Sequence, residues 1–190
     1  VVFPMVDLAV PRWFADGSVF VLAEHPFLRG VRNLSRVSVY YIVGAMVLLL
    51  GLNLALPRRY RFCQLHKPLF VLLSFAAGPV IIVETLKTLI GRARPRHLLE
   101  FGGSADFTPV WQFAATCARN CSFPSGEASG AAAALSLLVF IPKRLRSFVA
   151  IILTPGLVMI ALNRVLFGAH FLLDVMLGLL LLWLAVVLLW

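Results

Sequence analysis

Apolar residues in this chain gather into long runs instead of alternating with polar ones. The runs approach the roughly 20 residues that a helix needs to cross about 30 Å of hydrocarbon. Five are predicted as spanning helices, at 37–56, 68–90, 126–142, 148–163 and 170–190. The expected architecture is an all-α, polytopic transmembrane helix bundle in one domain, 1–190, with 1–36 as an outer-side interfacial or loop segment and 37–190 as the bundle. The third run opens with Gly126, Ala128, Ser129, Gly130 and four alanines, small residues that let helices approach closely, so it is expected at the centre. The fourth is short and contains Pro155 and Gly156, which membrane helices tolerate where neighbours satisfy the freed backbone groups.

Composition agrees with a bilayer as solvent. Of 190 residues, 61% are hydrophobic and 13% charged, with a mean hydropathy of +0.96, far from a soluble domain of this length. The net charge of +9 raises the question of an anionic partner, and the placement of the charges answers it. Basic residues sit in short loops between apolar runs instead of forming a soluble basic face, which argues against nucleic acid and for anionic lipid or substrate. The first 25 residues, interrupted by Pro4, Asp7, Pro11, Arg12 and Asp16, are neither a signal peptide nor a span. The stretch 13–27 mixes aromatic and polar residues, as either an interfacial segment or a surface loop does.

With five crossings, loops 57–67 and 143–147 share one side, while 1–36, 91–125 and 164–169 share the other. The first pair carries Arg58, Arg59, Arg61, Lys67, Lys143, Arg144 and Arg146 without an acidic residue, the mark of a cytoplasmic face. The expectation is an inner-membrane protein whose other face meets the periplasm. Yet that other face holds Arg92, Arg94, Arg96, Arg119 and Arg164. Cations at span ends against the orientation bias are costly and mark a function.

These cations have company. Lys87 lies near the end of the second run, Arg92 and Arg94 follow within two turns, and Pro95 stops the helix. Arg164 closes the fourth run. His170 and Asp174 open the fifth, four apart, so that a carboxylate on the same helix face is expected to orient the imidazole. Between them Ser122-Phe123-Pro124-Ser125-Gly126-Glu127 leads into the third run, where a serine hydroxyl and free N–H groups make an anion site. Guanidinium, ammonium, hydroxyl and helix-end N–H groups suit the oxygens of a phosphoryl group, with a histidine placed to attack.

At these positions the sequence resembles the type 2 phosphatidic acid phosphatase family. Its three signatures are a lysine, six residues and Arg-Pro; Pro-Ser-Gly-His; and Ser-Arg, five residues, His, three residues and Asp. Here they read Lys87 to Arg94-Pro95, then Pro124-Ser125-Gly126-Glu127, then Asn163-Arg164, His170 and Asp174. The resemblance implies a six-span core whose first span would lie upstream of Val1. It also implies a membrane lipid phosphatase working through a phosphohistidine. In that scheme His170 attacks phosphorus, Asp174 orients it, and Lys87, Arg94, Ser125, the Gly126 N–H and Arg164 hold the oxygens. No metal or other cofactor is implied, and His25, His66 and His97 are scattered over loops.

Two positions depart from the family. Asn163 stands for serine, a small polar exchange. Glu127 stands for the histidine expected to protonate the leaving oxygen, which leaves three readings: a replacement general acid, a structural partner for an arginine, or lost or altered activity. A carboxyl group serves as an acid only while it keeps its proton, which burial favours and nearby cations oppose. Poor acid catalysis suits a good leaving group, so the expected substrate is a lipid phosphate monoester or diphosphate, such as a polyprenyl diphosphate or the sugar phosphate of lipid A. The run Cys121 to Ser129 is similar to the lipid A phosphatase branch of the family. Other classes stay open: a lipid phosphotransferase, a non-catalytic binder of anionic lipid, or an anion transporter.

Of the remaining polar residues, Glu84 is expected to pair with Lys87 three residues on. Arg92 and Arg96 are candidates for headgroup contact, and His97 for a solvated loop residue. Cys117 and Cys121, on the outer side and four apart, are candidates for a disulfide, Cys63 for a thiol, and Trp190 for an interface anchor.

Overall fold

The structure, a computed structural model, describes residues 3–110 and 112–189. The anchor expected at Trp190 lies outside them. A short helix α1 (Phe3–Phe14) leads through a two-residue hairpin, β1 (Ala15–Asp16) and β2 (Val19–Phe20), into the long helix α2 (Pro26–Ala55). Next come α3 (His66–Phe75), a π-helical stretch Ala76–Ile82 and α4 (Val83–Ile90), which together form one continuous rod. After an irregular segment follow α5 (Gly126–Ala134) with a 3₁₀ continuation Leu135–Phe140, then α6 (Lys143–Leu166) and α7 (Leu172–Leu189).

Four of these helical stretches are long and apolar enough to cross a bilayer, Pro26–Ala55, His66–His97, Lys143–Leu166 and Leu172–Leu189, and Gly126–Phe140 is a shorter apolar one. The chain is an integral membrane protein with an all-α bundle. The short fifth member gains length from its 3₁₀ part, which rises about 2 Å per residue instead of 1.5 Å, giving a rod of about 26 Å. The π-helical stretch has a local cause. Pro79 lacks an N–H and would clash with the carbonyl four residues back, and widening the turn relieves the clash without ending the helix.

Helix α5 is the hub. It packs on α6, α7 and the π-helical stretch, and Ala128, Ser129, Gly130, Ala131 and Ala133 are all buried, as its small residues predict. At the other end of the same interface Gly78 allows α7 to close in: a Cβ there would lie 2.3 Å from Leu182 Cδ1. Val71, Phe75, Ala133, Val139 and Leu182 form the core inside the membrane. A second cluster of Phe20, Ala93, Leu98, Phe101 and Phe171 roofs the end where the irregular segment folds back.

The 1–36 segment is more ordered than expected. Residues 3–14 form a helix of three turns packed on α6 and α7. Helix α2 begins at Pro26 instead of 37, with proline at the first turn where its missing N–H costs nothing. The apolar run marked only the lipid-facing part of α2, whose first turns carry Arg29, Arg32 and Arg36. Likewise 143–147, expected as a loop, is the first turn of α6.

Candidate active site

Every residue of the expected cradle comes to the roofed end of the bundle. Lys87 is in the last turn of α4, Arg94 in the extended segment behind it, and Arg164 in the last turn of α6. Ser125 caps α5, its hydroxyl accepting from the Ala128 N–H at 3.4 Å, and Gly126 is the first residue of the helix, where N–H groups have no partner within the helix. Lys87 Nζ lies 3.7 Å from where a Cβ on Gly126 would sit, which puts the ammonium beside that helix end. Lys87 pairs with Glu84 at 3.2 Å.

His170 sits in the tight connection between α6 and α7. Its N–H and that of Ala169 both donate to the Arg164 carbonyl, at 3.2 and 3.1 Å, which ties the imidazole to the guanidinium's own backbone. Gly168 makes this turn possible, with φ of +57° and Phe20 filling the space a side chain would need. The ring is 1% exposed, and Nδ1 lies 2.5 Å from the Ser122 carbonyl. Nδ1 therefore carries the proton and Nε2 holds the free lone pair. Burial, then the charges of Arg94 and Arg164, push the imidazole well below its ordinary pKa; the Ser122 carbonyl acts in the opposite direction, and Lys87 adds to the depression. The ring is therefore held neutral, with a free lone pair on Nε2.

Glu127 stands in front of it. One carboxylate oxygen lies 3.9 Å from His170 Nε2 and 3.4 Å from Arg164 Nε. Arg164 is buried, and its Nε and Nη1 have no hydrogen-bond partner among the described residues. Buried guanidinium N–H groups without acceptors are costly unless a ligand supplies oxygens. Arg94 is also buried but half committed, donating from Nε to the Asn120 carbonyl at 2.9 Å and from Nη2 to its side chain at 2.6 Å. These groups border a cleft of about 430 Å³ that Lys87, Arg94, Arg96, Gly126, Glu127 and Arg164 help to line. The imidazole and Ser125 lie just behind that lining.

Two expectations are corrected. Asp174 does not face His170, because α7 starts only at Leu172 and the four-residue helical spacing does not apply. Its carboxylate accepts from Arg92 Nη1 at 2.5 Å, from the Phe171 N–H at 3.0 Å and from the Ser122 hydroxyl. It thus acts on the imidazole at one remove, by fixing the residue whose carbonyl holds Nδ1. Arg92 is not available to a headgroup. It is fully buried, bridges Asp174 and Asp7 (2.8 Å), donates to the Thr108 carbonyl at 2.8 Å, and stacks 4.0 Å from the Phe171 ring.

Asp7 and Ser122 are the partners that sequence reasoning did not assign. Asp7 also accepts from the Leu173 N–H at 3.0 Å, pinning α1 to the start of α7. Burial raises its pKa, against the opposing pull of Arg92. A lone acid in a proline-broken N-terminal stretch carried no signal of this. Arg32 and Arg36 of α2 also line the cleft, hidden earlier by the late start expected for that helix. Asn163 donates to the Leu28 carbonyl at 2.9 Å, serving the α6–α2 contact. Arg96 and His97 are exposed, Arg96 donating to the ring at 3.4 Å. Cys117 and Cys121 are joined by a disulfide beside Asn120, and Cys63 is free. Among the described residues no three His, Cys, Asp or Glu side chains meet as a metal site requires.

Comparison with known proteins bears on this arrangement. Three relatives bear the name lipid A 4'-phosphatase. That of Rhizobium leguminosarum is 44% identical over 102 residues, covering 53% of this chain and 44% of that protein. That of Rhizobium etli is 44% identical over 108 residues, covering 53% and 40%. That of Francisella tularensis subsp. novicida is 27% identical over 181 residues, covering 92% and 80%. The matched region is less than half of each Rhizobium protein. No solved structure matches. The profile of the PAP2 superfamily matches residues 67–190, a stretch that contains Lys87, Arg94, Ser125, Arg164, His170 and Asp174, and the chain belongs to that superfamily.

Proposed function

We propose that the chain is a membrane lipid phosphatase that hydrolyses a lipid phosphate monoester or diphosphate through a phosphohistidine. The observation that carries this is the gap between imidazole and guanidinium: His170 Nε2 and Arg164 Nε flank one carboxylate oxygen of Glu127, at 3.9 and 3.4 Å, and Arg164 Nη1 has no hydrogen-bond partner among the described residues. That is the place a phosphoryl oxygen would take.

In the first step the Nε2 lone pair attacks phosphorus while Nδ1 keeps its proton and donates it in a hydrogen bond to the Ser122 carbonyl. Charge on the equatorial oxygens is held by Arg94, Arg164, Lys87 and the Ser125–Gly126 start of α5. The bond to the lipid oxygen breaks on the opposite side, and Glu127 gives that oxygen its proton. In the second step Glu127 takes a proton from water, water attacks phosphorus, and inorganic phosphate leaves with His170 neutral again. For the first step the Glu127 carboxyl must swing off the nitrogen it now faces, and an arriving phosphate would displace it by taking Arg164.

Lipid tails fit between the spans while the headgroup meets the cations. The relatives' names favour a phosphorylated sugar on a lipid anchor, and the loop charges favour a site facing the periplasm across the inner membrane. The test is phosphate release from a panel of lipid phosphates by purified protein, with acid-labile phosphate trapped on the chain. His170→Ala is expected to abolish both, with turnover falling by about three orders of magnitude or more. Unchanged release by that variant would refute the mechanism.

A further inference from the structure

The cleft holds more positive charge than one phosphoryl group uses. Six cationic side chains line it, against the two carboxylates of Glu84 and Glu127. Both carboxylates are taken, Glu84 by Lys87 and Glu127 by Arg164. Lys87, Arg94 and Arg164 are the cations the chemistry above needs. Arg32, Arg36 and Arg96 are left over.

These three are placed together. Arg32 and Arg36 are one turn apart on the face of α2 that also sends Ser35 and Val39 to the cleft, and Arg96 enters from the turn Pro95–His97 opposite. The charge of Arg32 reaches Arg94, Arg96 and Arg164, and that of Arg36 reaches Arg164. Among the described residues none of the three has a carboxylate partner, whereas Arg29, one turn earlier on α2, pairs with Glu24. Arg32 Nε is out of solvent and has no hydrogen-bond acceptor. Like charges brought together in a partly desolvated cleft repel one another, and a buried guanidinium N–H without an acceptor costs more still. Both costs vanish if an anion binds.

We propose that Arg32, Arg36 and Arg96 form a second anion subsite, so that the substrate is a lipid headgroup carrying another phosphate-like acidic group beside the one that is cleaved. This deepens the phosphatase assignment and rests on it for the word substrate; the subsite itself is a matter of binding. The second group would be held by charge-assisted, forked contacts from α2.

The test uses ligands that cannot be hydrolysed. The whole chain in phosphatidylcholine nanodiscs is titrated by calorimetry with alkane bisphosphonates of graded spacer length, with methylphosphonate as the single-anion control. At least one spacer is expected to bind about tenfold or more tighter than the control, as an added charge-assisted contact gives. The double variant Arg32→Gln, Arg36→Gln should lose that gain and bind methylphosphonate within about twofold of the parent. If the double variant does not fold, Arg36→Gln at an exposed position should still lose about threefold or more of the gain. The proposal is overturned if no spacer gains, if the gain survives the variants, or if both ligands weaken alike. It is also overturned if phosphatidylglycerol in the disc erases the gain, because the arginines then hold bulk lipid. Failure to release phosphate from any lipid would remove the phosphatase assignment while leaving a measured bisphosphonate gain intact.

Discussion

Two arginines two residues apart, Arg92 and Arg94, lead opposite lives. Arg92 belongs to a closed lock with Asp7, Asp174 and Ser122, in which every guanidinium nitrogen has a partner and no surface is exposed. Arg94 belongs with Arg164 to an open cradle, where Arg164 Nε has only the 3.4 Å ion pair to Glu127, Nη1 has no hydrogen-bond partner among the described residues, and the cleft gives access. Saturated charge holds a shape, whereas unsaturated charge waits for a ligand. The lock keeps the cradle usable, since it fixes Ser122, and the Ser122 carbonyl decides which imidazole nitrogen is free. Substitutions on the two sides should therefore separate stability from turnover.

The largest separation is expected at Glu127. Glu127→Gln keeps shape and hydrogen bonding but cannot pass a proton, so turnover with a lipid phosphate should fall by about two orders of magnitude or more with little change in thermal unfolding. Near-normal turnover would take Glu127 out of the chemistry. Arg92→Ala should do the reverse. It leaves two buried carboxylates without their cation, at a cost of about 3–5 kcal/mol, seen as a large fall in the unfolding temperature in detergent. An unchanged unfolding temperature would show that the lock does not hold the fold. Arg164→Gln removes a buried cation with few commitments, so kcat/KM should drop by about 100-fold while stability holds or rises. If stability collapses as for Arg92→Ala, the contrast between the two clusters is wrong.

The smallest effect is that of pH. As the proposed nucleophile His170 has to be unprotonated, and burial with Arg94 and Arg164 holds it well below 6.5, so the acid limb of the rate profile due to this group should lie below pH 6.5. The sign for stability follows: the unfolded imidazole takes its proton near 6.5 and the folded one does not, so the fold loses stability as pH falls through that region. His170→Asn, which would be inactive, should flatten the stability dependence. Persistence of the same stability slope in that variant would assign it to another group.

Much of the fold was legible along the chain because the bilayer imposes a length and a polarity on each crossing. The apolar runs located the spanning helices, and the small residues after Gly126 marked the central one. Helix starts were less legible. Arg32 and Arg36 break an apolar run without breaking a helix, so α2 was expected to begin at 37 and two cleft residues were overlooked. The cradle residues were found through their motif spacing, and the structure brings them to one end of the bundle. The direct contact expected between Asp174 and His170 gives way to one through Ser122 for a local reason: four-residue spacing puts two side chains on one face only inside a helix, and His170 precedes α7.

Residue order alone determined that this chain enters a membrane, that its spans are helical, and that a histidine, a lysine and arginines gather at one boundary, because hydrocarbon filters short-range pattern severely. Which of those charges is locked and which is open was decided by tertiary structure. Guanidinium groups look alike in sequence, and only contacts across more than 80 residues, from Arg92 back to Asp7 and on to Asp174, saturate one and leave another free.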